Sequence, residues 1–210
     1  LPLAFPSHQG LIAPLWRRWP DSFHVLAMGI GAGMPDAVDG IAGAFCGSLG
    51  QRYGHSLLGT FIFCLPLGMA LTWLTLAAGR HLPGLGKPGS SARRWGETLG
   101  RWIEEWNRIP AACASGTQRV CFMLRSMWIG AFSHVFFDFI SHGGFPWFYP
   151  WFRKVRVFPD WWYVKWFEIP VFGYRDPYPM GPHLLVWIFF SVLGTVILFA
   201  PAWRRRRKAQ

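Results

Sequence analysis

Carboxylates are scarce in this sequence. Asp and Glu together number 10 of 210 residues, and charged residues of every kind make up only 15%. Soluble domains carry roughly a quarter charged residues, so an ordinary soluble fold is the first class excluded. Paired cysteines are missing as well. Cys46, Cys64, Cys113 and Cys121 form no C-x-x-C pair. Three of them lie in or at the ends of apolar runs, so they read as small buried residues and not as a disulfide framework. Internal repeats are not visible, and no nucleophile-elbow motif accompanies any serine. The chain opens without Met, so its extreme N-terminus is expected to be trimmed, and no cleavable signal pattern is visible there.

What fills the composition instead is apolar and aromatic. Hydrophobic residues are 52% of the chain and aromatic ones 18%, with 14 Trp and 19 Phe, a load that suits a protein at the lipid–water boundary. The net charge of +11 does not imply nucleic acid, which is not an expected partner. The basic residues gather beside apolar runs, where anionic headgroups and the positive-inside rule explain them.

A helix needs about 20 apolar residues to cross a bilayer. Segments 56–79 and 184–203 meet that length plainly. A third, 120–142, meets it apart from Arg125 near one end and an ionisable stripe at the other. A fourth, 24–47, is glycine-rich and interrupted at Met34-Pro35-Asp36, because proline removes a hydrogen bond and disfavours helix at the residue before it. Broken backbone survives at membrane depth only where protein or a wet cavity surrounds it. Ser7 is a plausible cap for a short amphipathic helix over 7–19. In 80–119, Trp95, Leu99, Trp102, Ile103 and Trp106 recur at helical spacing, which predicts a helix lying flat in the interface. The stretch 143–183 alternates aromatic and basic residues between prolines and reads as an interfacial loop with short strand-like pieces.

The expected fold is therefore all-α: one polytopic transmembrane helical bundle over 1–210, with about four spans and interfacial loops. The basic run 204–208 is expected on the cytoplasmic side. Four crossings then place 143–183 outside, 80–119 inside and 48–55 outside, in a multi-pass protein of a bacterial inner membrane.

That topology draws the ionisable residues together. His134, Asp138 and His142 follow one another at intervals of four, which stacks them on one slowly turning helix face. His55 opens the second span, and Asp36 and Asp39 lie in the broken one. A charged group within the bilayer costs on the order of 2.5–3.5 kcal/mol even on lenient scales. Pairing or a metal must offset that cost. Imidazole and carboxylate suit zinc, and also iron or manganese. An H-x-x-x-D pair gives two ligands, Asp36 and His55 complete four, and His8 can join through Asp138 as a bridging carboxylate. Two metals sharing a carboxylate can clamp the attacking and leaving oxygens of a phosphoester.

Blander readings stand beside these. His134 and Asp138 can simply hydrogen-bond to each other, and Asp36 can cap a helix restart. His142, followed by Gly143 and Gly144, suits a helix end as well as a ligand or proton shuttle. Asp39 reads as a group standing behind a ligand. His24, His81 and His183 read as ordinary residues at span edges, with His183 a minor candidate for a further ligand. Ser56 and Ser133 adjoin His55 and His134, but neighbours on a helix point in different directions.

The strings FPSHQGLIAPL, GAGMPDAVDG, GHSLLGTFIFCLPLGMAL and GAFSHVFFDFISHGG, in this order, resemble an uncharacterised bacterial membrane family, a domain of unknown function. That family looks related to inner-membrane-associated metal-dependent hydrolases described as LexA-binding. The order His, Asp, His, H-x-x-x-D, His is also similar to the zinc ligand order of the phospholipase C and single-strand nuclease family. The resemblance implies one zinc site from Asp36, His55, His134 and Asp138. It implies part of a second from His8 and Asp138, and one ligand of a third in His142. No downstream His and carboxylate pair completes the third, so one or two zinc ions are expected.

The function expected on these grounds is a metal-dependent hydrolase of a phosphoester or another membrane-associated ester. Its catalytic residues would be Asp138 and His142, and its metal ligands His8, Asp36, His55, His134 and Asp138. Membrane lipids and a lipid-like, anionic substrate are the expected partners. The rival classes are a transporter or ion-binding protein using the same polar stripe, a haem-b cytochrome, against which Asp138 beside His134 counts, and a purely structural membrane partner, in which the buried charges would have no purpose.

Overall fold

The structure is a computed structural model that describes residues 4–46, 53–142, 148, 156–170 and 177–208. The described chain is mostly helical. Its elements are α1 (Ala4–Arg18), α2 (Val25–Gly31), α3 (Met34–Cys46), α4 (Leu57–Gly59), α5 (Leu65–His81), α6 (Ser91–Trp106), α7 (Gly116–His142) and α8 (His183–Lys208). A π-helical turn, Thr60–Cys64, joins α4 to α5, and a 3-10 turn, Leu82–Gly84, extends α5. Strands β1 (Phe167–Ile169) and β2 (Tyr178–Met180) pair antiparallel, Phe167 opposite Met180, within the segment whose sequence offered only strand-like pieces.

Two helices are long and apolar enough to cross a membrane: the continuous rod Leu57–Gly84 and the stretch Gly116–Phe139 of α7. The pair α2 and α3, bent by 41° at the break between them, makes a third if counted as one broken span. Of the four spans expected, these are the ones that the described residues supply. In α8 the side chains are described only as far as Ile197, so the expected span 184–203 lies partly outside the described residues. Pro35 does not cause the bend by interrupting a helix. It sits in the first turn of α3, where its missing N–H had no helical partner to lose.

The distribution of side chains is inverted relative to a soluble protein. Leu58, Phe61, Ile62, Leu71, Trp73 and Leu74 of the Leu57–Gly84 rod point outward and are 46–66% exposed. His8, His24, Asp36, Asp39, His55, His134 and Asp138 are all buried. Apolar groups outside and ionisable groups inside is the arrangement a hydrocarbon surrounding favours and water does not.

The interior rests on close helix contacts. At Gly31 any Cβ would lie 2.2 Å from the Met127 carbonyl oxygen, and at Gly130 one would lie 2.1 Å from that of Met28, so α2 and α7 touch backbone to backbone. Beside this seam Ala27, Met69, Met123 and Met127 form a core cluster from α2, α5 and α7. Helix α1 lies along α8, at a distance set by Gly10 against the Phe190 carbonyl. These contacts leave the C-terminal half of α7 facing α1 and α3, where the ionisable residues are.

Candidate metal centre

Four segments deliver side chains to one point. Asp36 and Asp39 come from the first turns of α3, three residues apart on one face. His134 and Asp138 come from α7, four apart. His55 comes from a hook, 53–56, that leads into α4, and His8 from α1.

The hook has identifiable causes. Gly54 approaches α3 so closely that a Cβ there would lie 2.2 Å from the Pro35 carbonyl oxygen. Its N–H donates to Asp39 Oδ1. Ser56 caps α4, accepting from the Gly59 N–H at 2.9 Å and donating to the Tyr53 carbonyl at 3.1 Å. These bonds give the Ser56 hydroxyl a structural task. Ser133 likewise donates to the Gly130 carbonyl at 2.8 Å. The π-helical turn comes at once after α4, a feature frequent beside functional sites.

At the centre, His55 Nε2 lies 3.1 Å from His134 Nε2, 3.5 Å from Asp36 Oδ1 and 3.3 Å from Asp138 Oδ2. His134 Nε2 lies 3.6 Å from Asp36 Oδ1 and 3.4 Å from Asp138 Oδ2. One ligand atom from each of Asp36, His55, His134 and Asp138 falls within 4.8 Å of all the others, and the group could hold a metal ion. The five distances are also close to what such an ion sets. Ligands at about 2.0–2.1 Å in a tetrahedron stand about 3.3 Å apart, whereas an octahedron of the same radius brings neighbours to about 3.0 Å.

The hydrogen bonds behind the two imidazoles decide which atoms point inward. His134 Nδ1 lies 2.7 Å from the Ala32 carbonyl oxygen, which only accepts, so Nδ1 carries the hydrogen and donates it. His55 Nδ1 lies 2.7 Å from Asp39 Oδ2 and donates to it in the same way. In the neutral rings each Nε2 is then a bare lone pair, and the two lone pairs face each other beside two carboxylates. Such a group of acceptors requires a cation, either a proton or a metal ion. Burial alone disfavours a charged His55, but Asp39, Asp138 and Asp36 outweigh it and push its pKa up to about 10. Asp36 repeats the message: neither of its buried oxygens has a hydrogen-bond partner among the described residues.

His8 stands beside the four. Its ring stacks on His134, centroids 3.6 Å apart at 20°, and its Nε2 is 3.7 Å from Asp138 Oδ1. Its buried Nδ1 has no hydrogen-bond partner among the described residues. Burial first, and then His134, hold its pKa down to about 3 against the pull of Asp138 and Asp36. The structure thus brings together His8, Asp36, His55, His134 and Asp138, with Asp39 behind His55. The side chain of His142 lies outside the described residues. His183 is buried at the start of α8, its ring 4.9 Å from that of Trp187.

His24 departs from its reading as an ordinary edge residue. It is fully buried and knots three helices. Its N–H donates to Ser126 Oγ at 2.8 Å, its Nδ1 accepts from the Ala27 N–H at 3.1 Å, and its Nε2–H donates to Asn107 Oδ1 at 3.0 Å. Burial, against the pull of Asn107, lowers its pKa. The decisive partner, Ser126, is 102 residues away, and no local pattern announces it.

Among known proteins, the family model described as Domain of unknown function (DUF4184) matches residues 1–210. No curated protein and no solved structure matches the chain.

Proposed function

Because the chain belongs to the DUF4184 family, whose function is unknown, its activity must be argued from the site, and we propose a membrane-embedded, zinc-dependent hydrolase of phosphoesters or other membrane-associated esters. The observation that carries this reading is the pair of lone-pair Nε2 atoms 3.1 Å apart, each ring held from behind and flanked by Asp36 and Asp138. Two imidazoles and two carboxylates at tetrahedral spacing suit zinc better than the all-oxygen cations. When bound, such an ion polarises an ester oxygen and makes water acidic near neutral pH.

The chain's own residues do the rest. Asp39 and the Ala32 carbonyl fix the tautomers of His55 and His134, and Asp138 offers a second oxygen toward neutral His8. Asp138 and His8 would hold a second ion within the same proposal, and His142 would act as proton shuttle. His134 and Asp138 lie five and nine residues past the middle of α7, about 8 and 14 Å along its axis, which supports a site toward one membrane face, within reach of a lipid-borne ester. The expectation that the aromatic and basic segment 143–183 covers the anionic substrate falls partly outside the described residues and belongs to the proposal, as do α8 as a fourth span and its basic end in the cytoplasm of a bacterial cell. The resemblance in ligand order to zinc phospholipases points the same way.

One observation favours a second reading, a non-enzymatic metal- or proton-handling membrane protein: the four ligands are 0–7% exposed, so a substrate needs an opening that an ion does not. Protein purified in mild detergent decides between them. Bound zinc with hydrolysis of a phosphoester panel, both lost in Asp138→Ala, supports the hydrolase. Stoichiometric metal with no hydrolysis across the panel supports the second reading.

A further inference from the structure

Helix α6 presents three faces, and one of them packs on the end of the Leu57–Gly84 rod. Gly96 and Gly100 lie against the 3-10 turn that ends the Leu57–Gly84 rod. A Cβ on Gly96 would be 2.2 Å from the Leu82 carbonyl oxygen, and one on Gly100 would be 3.0 Å from Pro83 Cγ. Ile103 closes the same face against Gly79 of α5. At 100° per residue, Trp95, Leu99, Trp102 and Trp106 (i, i+4, i+7, i+11) form a separate stripe beside it. Trp95 is 60% and Leu99 40% exposed. Arg94 and Arg101, seven apart, share the remaining side and are exposed. Arg93 is paired with Glu97 at 3.1 Å, but neither Arg94 nor Arg101 has a carboxylate partner among the described residues.

We infer that α6 is a docking surface for anionic lipid headgroups, lying in the membrane interface at the end of the Leu57–Gly84 span. Three observations converge on that occupant. Contact with the last residues of a membrane-length helix sets α6 at headgroup height. The Trp95–Leu99 stripe has the aromatic character that interfaces favour, and the exposed guanidinium groups of Arg94 and Arg101 complement phosphate. The far end is fixed to the bundle: Asn107, the C-cap, holds buried His24, and Arg108 reaches Asp21 at 3.4 Å. The helix therefore cannot leave the interface without breaking the knot that also holds α2 to α7.

The test uses the full chain in nanodiscs of phosphatidylcholine alone, or with phosphatidylglycerol as about a third of the lipid. Amide hydrogen exchange over 91–106 is the readout. Exchange is expected about tenfold slower with phosphatidylglycerol, from two Arg each worth roughly tenfold or less at the surface after screening. High salt and the double variant Arg94→Glu/Arg101→Glu should each remove the difference, while exchange in α7 stays unchanged. Equal protection in both lipids, or protection that the double variant retains, overturns the inference. So does protection that tracks protein concentration instead of lipid charge, which would assign the face to a second copy of the chain.

Discussion

Replacing Asp39 by Asn removes one charge and no volume, and the hydrogen bonds around it fix the consequence. Asp39 accepts two hydrogens: the Gly54 N–H on Oδ1 and the His55 Nδ1–H on Oδ2. An asparagine has one acceptor oxygen and one donor amide. If the oxygen faces Gly54, the amide confronts His55 Nδ1. His55 must then move its hydrogen to Nε2, the atom that faces His134 and the carboxylates. If the oxygen faces His55, the amide confronts the Gly54 N–H and the hook loses its tie to α3. In the first case both hydrogen bonds survive but a hydrogen sits on the Nε2 that would ligate the metal, and in the second one buried hydrogen bond is lost, at about 1–3 kcal/mol. Either way His55 is the poorer ligand, and metal affinity drops about 10- to 100-fold, as for other groups that hold a ligating imidazole from behind. The assay is competition against a zinc chelator of known affinity on detergent-purified protein, with circular dichroism showing that helix content is intact. An Asp39→Asn protein that is folded and binds metal as tightly as wild type would refute the reasoning, because His55 would not need its partner.

Gly54→Ala forces a methyl group to 2.2 Å from the Pro35 carbonyl and 2.9 Å from Asp39 Oδ1. The hook must shift, with an expected destabilisation of at least about 1–3 kcal/mol, read as a lower thermal midpoint and reduced metal content. For His24 the folded-state pKa lies below its ordinary value of 6.5, so below that value the unfolded chain binds more protons. Its contribution is present above pH 6.5 and lost as the pH falls toward the lowered value. His24→Asn keeps a capping acceptor and removes the titration, so the fall in thermal midpoint between neutral and mildly acidic pH should be smaller than in wild type.

Much of the helical frame is legible because hydrophobic length is a local property. The rod beginning at Leu57, the long α7 and the break before Pro35 are all written in runs of residues that read without partners. The His134–Asp138 pair is legible for the same reason: a four-residue interval needs only helix geometry. Features that need another segment are less visible. The acceptor that orients His134 is a backbone carbonyl, Ala32, which any residue could supply. The requirement at Gly54 arises from a neighbouring backbone and not from a turn. His24 is held by Ser126 and Asn107, and its own surroundings in sequence look like an ordinary helix start.

The central claim is that Asp36, His55, His134 and Asp138 gather around a metal cation. Elemental analysis of gently purified wild-type protein, beside Asp36→Ala and His134→Ala, tests it most directly. The expected result is one or two divalent metal ions per chain in wild type and a severe loss in both variants. Wild-type protein with only trace metal, or variants that retain the full complement, would contradict it.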